Sequence, residues 1–254
     1  MPFALFNSPT ELVVTLVAVI LVGLSKGGLG GMSMLGVPLM ALVMSPVTAA
    51  AVLLPVLVVM DVVSVAQWRK WVDWRIMRLI LPGSVAGIVI GWLTAEMVSD
   101  AVVRLIVGVV SALFVAKAVF APRGGPVAAT GDRPLLAHLC GTAAGYTSFV
   151  AHAGAPPLQI YMMPMQLDPK LFTGTTVMFF AITNALKLIP YAMLGEFDAQ
   201  NLGRAALMFP VAVLATWAGG WAVKRMRSEI FYPLTYVSVA LVAVKLIWDG
   251  IAGL

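Results

Sequence analysis

The stretch Lys26-Gly27-Gly28-Leu29-Gly30-Gly31 decides the fold, because it interrupts an apolar region that otherwise runs from Glu11 to Met44. The pieces on either side are about 13–18 residues long, short for a bilayer core that takes about 20 residues of helix to cross. A second apolar region, Leu135 to Met165, is interrupted by His152-Ala153-Gly154-Ala155-Pro156-Pro157. Half-length apolar pieces flanking Gly or Pro fit re-entrant hairpins or discontinuous helices.

Outward from these breaks, six continuous apolar runs are legible at 48–66, 75–93, 102–120, 171–191, 203–223 and 231–249. The whole chain is 61% apolar and only 11% charged, too little polar side chain to cover a soluble globule of 254 residues. That excludes a disordered chain and a disulfide scaffold. The lone Cys140 excludes an internal disulfide or a multi-cysteine metal site. The runs are long and do not alternate, so the spans are helical and not barrel strands. Met1 to Glu11 has no basic segment, and no cleavable signal peptide is expected. The formal charge of +5 reads as Lys and Arg retained in cytoplasmic loops, with no nucleic-acid partner.

The features repeat. Gly31 and Gly154, Pro46 and Pro169, and Asp61 and Asn184 each stand 123 residues apart. Pro82 and Pro210, and Lys117 and Lys245, stand 128 apart, with an insertion between Asn184 and Pro210 making up the difference. The chain therefore reads as a first repeat (1–120), a linker (121–134) and a second repeat (135–254). Loop 67–78 carries Arg69, Lys70, Arg75 and Arg78 against Asp73, whereas its counterpart 192–204 carries Glu196 and Asp198 against Arg204. Loop 94–103 carries Glu96 and Asp100, whereas 224–229 carries Lys224, Arg225 and Arg227 against Glu229. Basic loops stay cytoplasmic, so the halves are expected to be inverted, with the linker cytoplasmic and both termini on the far side. The expected fold is an all-α polytopic membrane protein of two inverted repeats. Each has a broken or re-entrant first segment and three spanning helices.

The run Gly27-Gly28-Leu29-Gly30-Gly31-Met32-Ser33-Met34-Leu35-Gly36-Val37-Pro38 resembles the glycine-rich opening of the TauE/SafE sulfite exporter family. So does Thr173-Gly174-Thr175-Thr176, continued by Asn184, Lys187 and the Gly195-Glu196-Phe197 turn. The resemblance covers nearly the whole chain and marks the family better than the substrate. It implies a polytopic protein that moves sulfite, sulfonates or related sulfur compounds. One departure is that Ala153-Gly154-Ala155-Pro156-Pro157 stands where the first half has Gly30-Gly31-Met32-Ser33-Met34, so the two breaks need not be equivalent.

Helix breaks persist inside a bilayer only where protein or a watery cavity satisfies the freed backbone. Half-helices starting at Gly31 or near Pro157 would aim N–H groups and a positive dipole end at an anion. The alternative is close helix packing through small residues. Lys26 either attracts the substrate or snorkels to an interface, and the same choice holds for Lys187. Lys117 and Lys245, near the ends of their spans, read as snorkelling. Asp61 is a carboxylate inside a span, expected to pair with a lysine, bind a cation or carry a coupling proton. Its repeat mate Asn184 is a neutral isostere. His152 carries an imidazole, whose ordinary range spans neutral pH, and is expected to be either a second coupling group or a helix-end hydrogen bonder. Ser33, Thr147, Ser148, Gln159, Thr173, Thr175 and Thr176 offer donors to an oxyanion, although such hydroxyls often bond their own helix. The expected anion-binding set is Lys26, Gly30, Gly31, Ser33, His152, Gly154, Gln159, Thr175, Asn184 and Lys187, with Asp61 or His152 coupling protons.

Enzyme readings are weaker. Ser148 and His152 stand four apart, but there is no G-x-S-x-G and no third member. No P-loop and no zinc set occur, and no cofactor is expected. The expectation is a secondary transporter in the cell inner membrane, carrying a small anion by alternating access. Residue physics supports a small anion, and the resemblance supplies sulfite. The rivals are uptake of a sulfonate, thiosulfate or organic acid, and a non-transporting protein that binds a membrane partner.

Overall fold

The computed structural model describes residues 5–29, 36–44, 46–94, 97, 99–120, 133–150, 153–193 and 199–254. All regular structure among them is helical: α1 (Pro9–Leu24), a π-helical turn (Ser25–Leu29), α2 (Gly36–Met40), α3 (Pro46–Trp68), α4 (Trp74–Thr94) and α5 (Asp100–Phe120). The second half gives α6 (Pro134–Val150), α7 (Ala155–Met162) with a 3-10 turn (Met163–Met165), α8 (Pro169–Met193), α9 (Ala199–Lys224) and α10 (Ser228–Ala252). Each of the six expected continuous spans falls inside one helix. Pro9–Gly28, Trp74–Thr94, Pro169–Ile189, Ala199–Lys224 and Ser228–Ala252 are long and apolar enough to cross a membrane. The chain is a multi-pass membrane protein. Its outer surface carries Leu93, Leu113, Leu214, Val244 and Trp248, side chains that a bilayer, not water, accommodates.

The first arm is longer than its sequence suggested. Ser8 caps α1, accepting the Glu11 N–H at 3.1 Å, and Pro9 occupies the first turn, where its missing N–H costs nothing. Glu11 accepts the Asn7 N–H at 2.9 Å, a variant of the capping box. At the other end the glycines do not stop the helix at once. The π turn carries it through Lys26 and Gly27, and the break falls at Gly28, whose φ of 133° only glycine adopts readily. Pro9–Gly28 is thus 20 residues, not a half-length piece. The expected helix start at Gly31 lies outside the described residues. After the second break the helix begins at Ala155 with Pro156 in its first turn, as Pro157 had indicated.

Contacts along the helices fix their directions. Arg204, near the start of α9, reaches Leu5 and Glu11 at the start of α1, and Gly27 meets Gly220 near the other end, so α1 and α9 run together. Gly83 meets His138 and Gly91 meets Phe149, so α4 and α6 also run together. α3 and α8 run oppositely, Asp61 meeting Asn184 while Trp71 meets Gly174. α5 and α10 run oppositely, Ala101 meeting Gly253 and Gly108 meeting Ala243. Two helix pairs related by position in the two halves of the sequence, α3 with α8 and α5 with α10, therefore point in opposite directions.

The same contacts gather cations at one end. Lys170 stands 5.0 Å from the Trp71 ring centre and Lys224 5.1 Å from that of Trp68. Arg69 and Lys70 follow α3 there, and Arg225 and Arg227 follow α9. This is called the basic end.

Small residues let the helices of each parallel pair touch backbone to backbone. A Cβ on Gly145 would collide with the Ser84 carbonyl, and one on Gly87 with that of Thr142. Gly145→Leu should therefore lower the unfolding midpoint of the detergent-purified protein, on the scale of about 1–3 kcal/mol seen for overpacking. Gly203→Ala, which meets only the end of the Leu5 side chain, should leave it unchanged in the same thermal scan.

Candidate functional site

The site begins with what the first break does to its own backbone. The π turn frees carbonyls that lipid cannot satisfy. Two side chains of α3 take them: Ser64 Oγ donates to Lys26 O at 2.9 Å, and Trp68 Nε1 donates to Gly27 O at 2.9 Å. Gly27 lies against the backbone of Thr216 and Gly220, and Gly28 against the Thr173 methyl. The turn is thus wedged between α3, α8 and α9, which fixes where the Lys26 side chain points.

It points at Asp61. Lys26 Nζ lies 2.6 Å from Asp61 Oδ1, with side-chain exposures of only 11% and 8%. The other carboxylate oxygen, Oδ2, accepts from Asn184 Nδ2 at 2.6 Å. The bridge Lys26–Asp61–Asn184 therefore joins the two halves, and two positions related by the 123-residue offset touch each other. The Phe180 ring centre stands 5.7 Å from the Lys26 ammonium. Lys26 does not snorkel. A charge at this depth costs at least about 2.5–3.5 kcal/mol on insertion scales, and here the pair carries it.

Lys187 lies nearly one turn further along α8 from Asn184 and is 2% exposed. Its ammonium donates to Ser148 O and Ser148 Oγ, both at 3.1 Å. It too does not snorkel, and it has drawn the hydroxyl once weighed as a nucleophile. Lys187 also stands 123 residues from Ser64, so equivalent positions on α3 and α8 both donate to a carbonyl of the broken arm. Asn184, three residues before Lys187, meets Asp61, which in turn pairs with Lys26. Among the described residues this interior thus holds two ammonium groups and one carboxylate.

The remaining expectations divide. Gly154 is buried, but a Cβ there would meet Ala144 O and Ser148 Cβ at 2.7 Å, so its smallness serves packing against α6 and not approach of a ligand. Gln159 is buried within α7. Thr175 is not brought to the bridge: it accepts the Asp73 N–H at 2.9 Å and donates to Leu171 O at 2.7 Å, tying the basic end together. Thr147 Oγ1 faces Ala143 O at 2.7 Å and Ala153 O at 3.0 Å, closing the second break on itself. Thr176 lies 3.9 Å from the Met162 sulfur. The Thr173 hydroxyl is buried without a partner among the described residues. The Lys245 ammonium pairs with Asp249 on its own helix. Gly30, Gly31, Ser33 and His152 lie outside the described residues, as does the Lys117 side chain.

Two features escaped the sequence reading. An open groove of about 410 Å³ runs between α3 and α8, lined by Val58, Asp61, Val62, Val65, Ala66, Arg69, Ala181, Asn184 and Ala185. It links the bridge to Arg69 at the basic end. The second feature is a buried pair at the opposite end, Arg204 Nη2 to Glu11 Oε1 at 3.5 Å, with Arg204 Nε donating to Leu5 O at 2.6 Å. The Ser8-x-x-Glu11 spacing was the available signal for Glu11.

Fold and site together define a polytopic helical membrane protein with a charged centre between its halves. The family described as sulfite exporter TauE/SafE matches residues 15–246, and the chain belongs to that family. It is 27% identical over 199 residues, 74% of each chain, to a protein of Cupriavidus necator named probable sulfite/organosulfonate exporter TauE. No solved structure matches at a comparable level.

Removing one partner of a buried pair leaves the other charge uncompensated, typically at about 3–5 kcal/mol. Asp61→Leu should therefore destabilise the protein more than the double variant Lys26→Met/Asp61→Leu does. Thermal scans of the two in one detergent check the order, and equal losses would show that the charges are not coupled.

Proposed function

We propose that the protein is a secondary transporter that exports sulfite, binding the anion beside Lys26 and Lys187 at the centre of two inverted repeats. The observation that carries this is the cation excess in the interior. Lys187 is buried against two neutral oxygens of Ser148, and Asp61, the carboxylate nearby among the described residues, is already held by Lys26 and Asn184. An ammonium so placed is stabilised by an anion. Family membership supports transport of a sulfur-containing anion, and no catalytic step is proposed. The opposed directions of counterpart helices support an inverted internal duplication, on which one half rocks against the other. Asp61 is the described group placed to take a coupling proton, and His152 remains a second candidate.

The groove favours a second substrate reading. Its walls are mostly valine and alanine, which offer nothing to bare sulfite but accept the short apolar group of an organosulfonate. Proteoliposomes separate the readings: sulfite efflux alone supports the first, and comparable flux of methanesulfonate supports the second. In either case Lys26→Met and Lys187→Met should each cut flux at least tenfold. Unchanged flux in both variants would remove the site assignment.

The basic end is proposed to face the cytoplasm, with the protein in the cell inner membrane. With Cys140→Ser as background, Lys70→Cys should react with an impermeant maleimide in inside-out vesicles and not in right-side-out ones. The reverse pattern would overturn the orientation.

A further inference from the structure

We infer that the interior accepts a fixed load of one negative charge: one monovalent anion alone, or one divalent anion together with a proton on Asp61. The inference rests on the anion site proposed above and adds what that reading leaves open, the charge that moves in each cycle.

The argument is one of charge balance in a medium that tolerates little imbalance. The described charges that face the centre are Lys26 on the π turn, Asp61 on α3 and Lys187 on α8. Other charges on the helices packed around α3 lie toward the ends. Glu11 pairs with Arg204 at one end, and at the basic end Lys224 sits over Trp68 while Arg69 stands exposed at the groove's mouth. Among the described residues, and with both lysines protonated, two ammonium groups and one carboxylate leave an excess of one positive charge. A monovalent anion cancels it with Asp61 ionised. A divalent anion overshoots by one, and the excess is removed when Asp61 Oδ1 takes up a proton from the bulk solution, carried in as hydronium with neutral water left behind.

The geometry makes that proton transfer compatible with the fold. Protonation at Oδ1 breaks the hydrogen bond from Lys26 Nζ, and the freed N–H turns to an oxygen of the anion. Oδ2 keeps its bond from Asn184 Nδ2, so the contact between the halves survives. The groove supplies the route, since its lining runs from buried Asp61 to exposed Arg69. Water can therefore deliver the proton from the basic end, where Arg69 favours the arriving anion.

The consequence is that an inside-negative membrane potential drives export in both cases. A single moving charge shifts the steady-state ratio about tenfold per 59 mV. The test uses two anions that carry no proton of their own at neutral pH, methanesulfonate and thiosulfate. Proteoliposomes receive a potassium–valinomycin potential at equal pH on both sides, with an internal pH dye. Both anions should show the same single-charge slope, methanesulfonate moving without a proton and thiosulfate with one proton in the same direction. Asp61→Asn leaves the two ammonium groups and no carboxylate among the described residues of the centre. Thiosulfate in this variant should lose its proton and its slope should rise to two charges. A two-charge slope without protons in the unsubstituted protein, a proton accompanying methanesulfonate, or flux indifferent to potential would each overturn the inference. Failure of every anion to move would instead overturn the transport reading itself.

Discussion

A carboxylate in the middle of a bilayer has to be held, and the way Asp61 is held organises the rest of the molecule. One oxygen meets an ammonium from the broken arm of the first half and the other meets an amide from the second. The ammonium contact depends on the helix breaking where it does. A regular helix through Gly27 and Gly28 would leave no freed carbonyls for Ser64 and Trp68 to grip, and Lys26 would lose its fixed direction. The glycine seams follow from the same need. They bring α1 against α9, and α4 against α6, closely enough for the centre to be enclosed.

The described glycines of the breaks serve packing. Of the three expected to bare the backbone to a ligand, Gly30 and Gly31 lie outside the described residues, and Gly154 meets α6 and Phe180, as Gly27 meets α9. In the proposed reading, an anion meets side-chain charge, Lys26 and Lys187, each held in the interior by neutral or compensated partners. The apolar groove and its Arg69 mouth then give that charge a connection to one end of the molecule.

Much of the fold was legible because a bilayer forces it. Span length, loop charge and the matched interruptions are consequences of hydrocarbon thickness and the cost of moving cations across it. The site was legible in part. Asp61 and Asn184 could be paired as repeat positions, but equivalence in sequence does not imply contact; contact requires that both lie where the two halves cross. Lys187 looked free to snorkel because it lies late in its run, yet α8 continues to Met193 and places it one turn from Asn184. Thr175 was misplaced by helical phase: nine residues before Asn184, it projects from nearly the opposite side of the helix at about 3.6 residues per turn. The groove left no sequence signal, because valine and alanine facing a cavity read the same as valine and alanine facing lipid.

The central claim is that the buried lysines hold the transported anion. Selenite, the heavier analogue of sulfite, can be located by anomalous scattering in crystals grown with it. The account predicts selenium within hydrogen-bond reach of the Lys26 or Lys187 ammonium, beside the Asp61–Asn184 contact. A dry, packed centre with selenite bound only at the surface would contradict it.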